Sequence, residues 1–159
     1  MPSPSPAPIV IEHDPATLAA VMDEQIAAGR GWINVMPQIP EEVPVPSTPS
    51  ALAVFSKRGP VVPLGTWTAP TTTKKGRVEP TEIGIQHGAA MQAKKALLET
   101  PGEIPGDWRI LTDNPRRGMV VRSPEGTTTL DQARWLLDAL AEICIPPTSG
   151  RFLLFRYDR

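Results

Sequence analysis

The stretch that decides the fold begins at Trp108 and reads WRILTDNPRRGMVVR over residues 108–122. Its two ends, residues 108–112 and 119–122, are rich in the apolar and β-branched side chains that favour strands. Between them, residues 113–118 contain Asn, Pro and Gly, which are typical of tight turns. The stretch therefore predicts a β-hairpin with a basic turn.

A helix and a further strand follow this hairpin. Apolar side chains recur at helical spacing after residue 129, and two prolines at 146 and 147 stop the pattern. The stripe consists of Leu130, Ala133, Leu136, Leu137, Leu140 and Ile143. The run RFLLFRY over residues 151–157 is then typical of a final strand, which we expect at the edge of the sheet.

An earlier part of the chain has the same plan. Residues 51–55 and 60–64 predict two strands around a turn, and residues 86–99 predict a helix. The run KRGPVV at 57–62 matches RRGMVV at 116–121, and the Thr triplet at 71–73 matches that at 127–129. We interpret this as a degenerate internal ββα duplication. Coincidence is the alternative, since basic turns with Gly are common.

The first helix has the clearest local signals. Asp14 suits the N-cap and Pro15 the first helical position, while Gly29 or Gly31 suits the left-handed residue that ends a helix. Residues 32–36 predict a short strand after it. Hairpins followed by helices indicate an α+β fold, with a mainly antiparallel sheet of about five or six strands and two or three helices packed on one face.

Proline and charge suggest three segments along the 159 residues. Residues 1–50 hold ten of the 20 prolines and carry a net charge of −5, whereas residues 51–159 carry +4. We expect a disordered Pro-rich tail over 1–13, in which residues 9–11 could still dock as a short strand. An acidic helix and a Pro-rich arm over 14–50 and a single α+β domain over 51–159 complete the prediction.

Composition excludes several classes of function. The net charge of −1 argues against a nucleic-acid partner, and no apolar run is long enough to span a membrane. One cysteine and two histidines leave no basis for a multi-Cys metal site, and we expect no metal and no cofactor. The N-terminus does not read as a secretory signal, so we expect a cytoplasmic protein.

One candidate site is the run IGIQHG at residues 83–88, which leads into the predicted helix. Small residues at a helix entry let backbone N–H groups approach an anion, and the helix dipole favours it there. Gln86 and His87 are therefore candidate ligand-binding residues, and His87 is the acid/base if the protein is an enzyme. The structural alternative is that the glycines serve a tight turn and His87 packs.

A second candidate site is the basic turn of the hairpin. Asn114, Arg116 and Arg117 could hold a carboxylate or phosphate, because paired guanidinium groups on a rigid turn can bind it through two donors. Lys57 and Arg58 on the equivalent earlier turn are candidate contacts for a protein partner. The alternative is that both turns are simply solvated.

Three segments resemble those of small actinobacterial proteins of unknown function. They are residues 55–60, the IGIQHG run at 83–88, and residues 108–118 with their NPRRG turn. The resemblance covers roughly residues 51–159 and has no activity attached to it. It implies a family domain, in which Gln86, His87, Asn114, Arg116 and Arg117 are the first residues to test.

Two functional hypotheses follow. The first is a small non-enzymatic binding or regulatory module that meets a protein partner or its own copy, as a homodimer, through the basic turns or the exposed edge of the sheet. The second is an enzyme or small-ligand domain that binds a phosphorylated or carboxylated anion through Arg116 and Arg117, with His87 as the acid/base.

Overall fold

The computed structural model describes residues 7–43 and 61–158, which contain nine strands and three helices. In chain order the elements are β1 (Ile9–Glu12), α1 (Pro15–Ala28), β2 (Trp32–Pro37), β3 (Leu64–Thr68), β4 (Thr71–Thr72), β5 (Val78–Glu79), β6 (Glu82–Gln86), α2 (Ala93–Leu97), β7 (Arg109–Asn114), β8 (Gly118–Arg122), α3 (Thr129–Ile143) and β9 (Arg151–Tyr157).

Seven of these strands form one antiparallel sheet in the order β1-β9-β2-β3-β6-β8-β7, and β4 and β5 form a separate two-stranded hairpin. The predicted α+β class with a mainly antiparallel sheet is confirmed. The sheet of the described residues is larger than expected, with seven strands instead of five or six, and three helices accompany it.

One face of the sheet forms the core. Its central row crosses β2, β3, β6 and β8, and each member is at most 1 % exposed: Ile33, Trp67, Ile83 and Val121. Helix α3 crosses this face over β2 and β3. The absence of a side chain at Gly65 permits the crossing, because a Cβ there would lie 2.8 Å from Cδ1 of Leu136.

Helix α1 begins where the sequence predicts, and of the two glycines predicted to end it, Gly29 does so. The Asp14 carboxylate accepts hydrogen bonds from the backbone N–H of Ala16 and the hydroxyl of Thr17, and the Thr17 hydrogen bond is the main cause of the lowered pKa of Asp14. Gly29 ends the helix with φ at 73°. Leu18 is fully buried, and the helix packs on α3.

The opposite face of the sheet carries none of the three described helices, and we call it the helix-free face. Its side chains are mostly half-buried and include several large apolar groups. Three rows of neighbouring residues cross it: Val10–Leu153–Met36, Phe155–Asn34–Thr66–Gly84–Val120, and Tyr157–Trp32–Thr68–Glu82. Trp32 and Tyr157 stack with ring centroids 4.9 Å apart.

The helix predicted over residues 86–99 is largely wrong. Residues up to Gln86 belong to strand β6, and only Ala93–Leu97 is helical. Ile83 and Ile85 alternate with half-buried residues, which is the period of a strand. Ala90 and Glu99 have φ of 58° and 60°, so the helix is bounded on both sides by left-handed backbone.

The predicted segment boundaries also need correction. Ile9–Glu12 is a strand paired with β9, so the disordered tail expected over 1–13 does not include it. The described part of the expected arm over 14–50 is no separate unit, because α1 packs on α3 and β2 lies inside the sheet. Strand β9 lies between β1 and β2, so it is not the edge that we expected.

The proposed duplication finds no support in the described residues. Thr71–Thr72 is a strand of the small hairpin, whereas Thr128 caps α3. Strand β6 also separates the small hairpin from α2, which gives the earlier part a different plan. The strand predicted over 51–55 and most of the 57–62 match lie outside the described residues. No helix in the described ranges is long and apolar enough to cross a membrane.

Candidate functional site

Two arginines lie side by side on β7 and β8, the two strands at one edge of the sheet. The register of β7 and β8 places Arg109 directly opposite Arg122. Arg122 Nη2 donates to Oε1 of Glu82 on β6 at 2.6 Å, whereas Arg109 has no ion pair with any residue in the described part of the chain. Like charges that face each other across strands are destabilising. The pair therefore retains one positive charge without a partner.

A β-bulge produces this pairing. Ile110 pairs with Val121, but the next pair along the strands is Thr112 with Val120, which leaves Leu111 as the extra residue. Without the bulge, continuation of the hairpin register would place Ile110 opposite Arg122. The bulge shifts the alternation of side chains by one residue and brings the two arginines together.

Arg122 also lines two adjoining clefts at this end of the sheet. The smaller cleft has a volume of about 310 Å³ and is also lined by Arg77 and Glu79 of the β4–β5 hairpin region. The larger, which we call the arginine cleft, has a volume of about 670 Å³, within the range typical of small-molecule sites. Its lining contains both arginines, five apolar residues and two acids: Arg109, Arg122, Ile26, Pro70, Val78, Pro80, Pro124, Asp107 and Glu125.

One wall of the arginine cleft is held by a buried polar chain. Trp67 Nε1 donates to Gln132 Oε1 at 2.9 Å, and Gln132 Nε2 donates to Ser123 Oγ at 3.0 Å. Gln132 is only 6 % exposed and lies in the first turns of α3. Because both ends of its amide are satisfied, the start of α3 is fixed relative to β3 and to the residue after β8.

The predicted basic turn lies at the opposite end of the sheet. Asn114 Oδ1 accepts the backbone N–H groups of Arg116 and Arg117 at 2.9 and 3.0 Å, so it shapes the turn. Both arginines are exposed. Gln86 is also exposed and lies beside Gly118, so the structure brings Gln86 and this turn together as candidate binding residues.

His87 does not join them. It is 0 % exposed and lies on the core side of the sheet, in the same alternation as Ile83 and Ile85. Its Nδ1 accepts the backbone N–H of Ala89 at 3.3 Å, and its Nε2 is buried with no partner among the described residues. The expected role of His87 as an acid/base for an anion at the turn is therefore not supported by its placement. The structural alternative, a packed histidine, fits it.

Burial also makes His87 a source of pH-dependent stability. Desolvation lowers its pKa in the fold, against a smaller opposing effect of the Asp113 carboxylate. Below about pH 6.5 His87 is therefore protonated in the unfolded chain but still neutral in the folded one. The free energy of unfolding decreases as the pH falls through that region. We expect this slope, at most about 1.4 kcal/mol per pH unit, to be smaller in His87→Gln. Urea unfolding at several pH values measures it, and equal slopes in both proteins would contradict the assignment.

Sequence reasoning missed Arg109 and Arg122. Counting outward from the turn would have paired Arg122 with Ile110, and the bulge at Leu111 has no local signal in the sequence. Lys57 and Arg58, predicted as partner contacts, lie outside the described residues.

Comparison with known proteins adds no further constraint. No family model matches the chain, and neither a curated protein nor a solved structure matches it.

Proposed function

We propose that the chain is a small non-enzymatic binding module that pairs with a second copy of itself through the edge strand β1. The observation that carries this proposal is the exposed apolar edge. Ile9 and Val10 are 42 % and 50 % exposed at the outer strand of the sheet. An outer strand also presents backbone N–H and C=O groups without partners on its free side, and these can pair with another strand.

The contrast with the other edge supports the choice of β1. Strand β7 contains the bulge at Leu111 and carries Arg109 and Asp113. The Asp113 carboxylate already accepts the first N–H groups of α2, at Ala93 and Lys94. Bulges, charges and covering elements are the usual protections of a sheet edge. Strand β1 has fewer of these protections.

The residues beside β1 favour an apolar interface. Val10 lies next to Leu153, which lies next to Met36, on the helix-free face, so two antiparallel copies of β1 would join two such rows into one surface. Glu12 is the one charged residue of β1, and its carboxylate is paired with Arg151 at 3.0 Å. A four-residue strand makes few hydrogen bonds, so we expect a dimer that dissociates on dilution.

The basic turn is the other surface through which we expected a binding module to contact its partner. Exposed Arg116 and Arg117 beside Gln86 could contact an acidic partner, but the observations that favour this are weaker because charged turns are ordinarily solvated. The edge at β1 differs in exposing apolar side chains on a strand whose outer side pairs with no other described strand.

Sedimentation equilibrium over a range of protein concentrations tests the proposal. We expect the wild type to dimerise and Val10→Lys to weaken the dimer by about tenfold or more, since it places a charge in the apolar row. Val78→Lys is the matched control, because Val78 is 64 % exposed on the small hairpin away from β1. A monomeric wild type, or equal dimerisation of wild type and Val10→Lys, would overturn it.

A further inference from the structure

We propose that the arginine cleft binds a small molecule that carries one carboxylate on an apolar body. The juxtaposition that carries this inference is a pair of facing arginines in the same cleft as a set of exposed apolar side chains. The inference does not depend on self-association, because every residue of the cleft belongs to one copy and none belongs to β1.

The arginines supply the binding group for the carboxylate. A guanidinium has five N–H donors, and Glu82 accepts from one nitrogen of Arg122 only. Arg109 is exposed and has no ion pair within the described ranges. An anion placed between the two guanidinium groups would accept hydrogen bonds from both and remove the repulsion between them.

The acids of the same cleft limit the charge of the ligand. Asp107 and Glu125 contribute to the lining, and neither forms an ion pair with a residue in the described parts of the chain. Each would repel negative charge on the ligand, and this repulsion is about twice as large for a ligand with two charges as for one with a single charge. A carboxylate with one charge therefore suits this cleft better than a phosphate with nearly two.

The remaining lining suits an apolar body. Val78 is 64 % and Ile26 is 41 % exposed, and Pro70, Pro80 and Pro124 lie around them. Covering such surface favours binding, because it removes apolar area from water. The wall formed by Gln132 and Ser123 is already held by the chain of hydrogen bonds from Trp67, so little ordering is needed on binding.

Benzoate is a suitable probe, with benzamide as its uncharged equivalent and phenyl phosphate as its more highly charged one. We expect NMR titration of the full chain to show saturable benzoate-dependent shifts at the amides of Ser123 and Gln132. Benzamide should give no comparable shift, and phenyl phosphate should bind more weakly than benzoate.

Variants separate this cleft from the basic turn. Arg109→Gln should weaken benzoate binding by about tenfold or more, because it removes a charge-assisted donor. Arg109 is exposed, so the substitution should leave the fold intact, and Arg122→Gln provides a second variant of the cleft. Arg117→Gln is the matched control at the opposite end of the sheet and should bind benzoate as the wild type does.

Four results would overturn the inference. The first is the absence of any benzoate-dependent shift at about 10 mM, a concentration well above the dissociation constant of even a weak site. The second and third are benzamide binding as tight as that of benzoate and phenyl phosphate binding that is tighter. The fourth is unchanged benzoate binding by a folded Arg109→Gln protein.

Discussion

Gly118→Ala is expected to lower the free energy of unfolding by about 3 kcal/mol, because two separate costs act at this position. The backbone of Gly118 has φ at 97°, which an L side chain rarely adopts. A Cβ would also clash with the carbonyl oxygen of Ile85 and lie 3.1 Å from Cα of Gln86. Both neighbours are backbone atoms of the adjacent strand β6, so they cannot rotate away.

Gly126→Ala separates the two costs. Gly126 also has a positive φ, 86°, but a Cβ there would meet nothing within 4 Å. We expect it to lose only the conformational cost, about 1 kcal/mol. Urea unfolding of the wild type and both variants measures the difference. Equal losses in the two variants would show that the close approach of β8 to β6 at Gly118 contributes nothing.

Trp67→Ala should have the largest effect of any single truncation in the core, about 3–5 kcal/mol. Trp67 is 0 % exposed, lies in the central row of the sheet beneath α3, and donates its indole N–H to Gln132. The substitution removes a large apolar group and also leaves the buried Gln132 oxygen without its donor.

Trp67→Phe distinguishes these contributions. It keeps most of the aromatic volume and removes the donor, so we expect a loss of about 1–3 kcal/mol from the unsatisfied Gln132 oxygen. Thermal and urea unfolding should both rank the wild type as most stable, Trp67→Phe as intermediate and Trp67→Ala as least stable. A Trp67→Phe protein as stable as the wild type would show that the hydrogen bond to Gln132 does not stabilise the start of α3.

Elements with strong local signals could be predicted from the sequence. The N-cap Asp14 and the terminal Gly29 define α1, and the run at 151–157 is the last strand as expected. The predicted helix over 86–99 fails for a physical reason. Its Ala and Lys content favours a helix, but the left-handed backbone at Ala90 and Glu99 leaves only five helical residues.

Features that depend on distant contacts could not be predicted. The insertion of β9 between β1 and β2 joins residues more than a hundred positions apart. We predicted a domain boundary at residue 51 because proline content and net charge change there. The core nevertheless extends across this boundary, because α1 packs on α3. The pairing of Arg109 with Arg122 depends on a bulge that no residue type in the sequence indicates.

Amide hydrogen exchange at the two edges of the sheet tests the central claim, pairing through β1, most directly. Alternate amides of β1 (Ile9–Glu12) face away from β9, and they should be covered only when a second copy is bound. We expect their exchange to slow as the protein concentration rises, while the outward amides of β7 (Arg109–Asn114) exchange at a constant rate. Exchange at β1 that is independent of concentration, or slowing confined to β7, would contradict the claim.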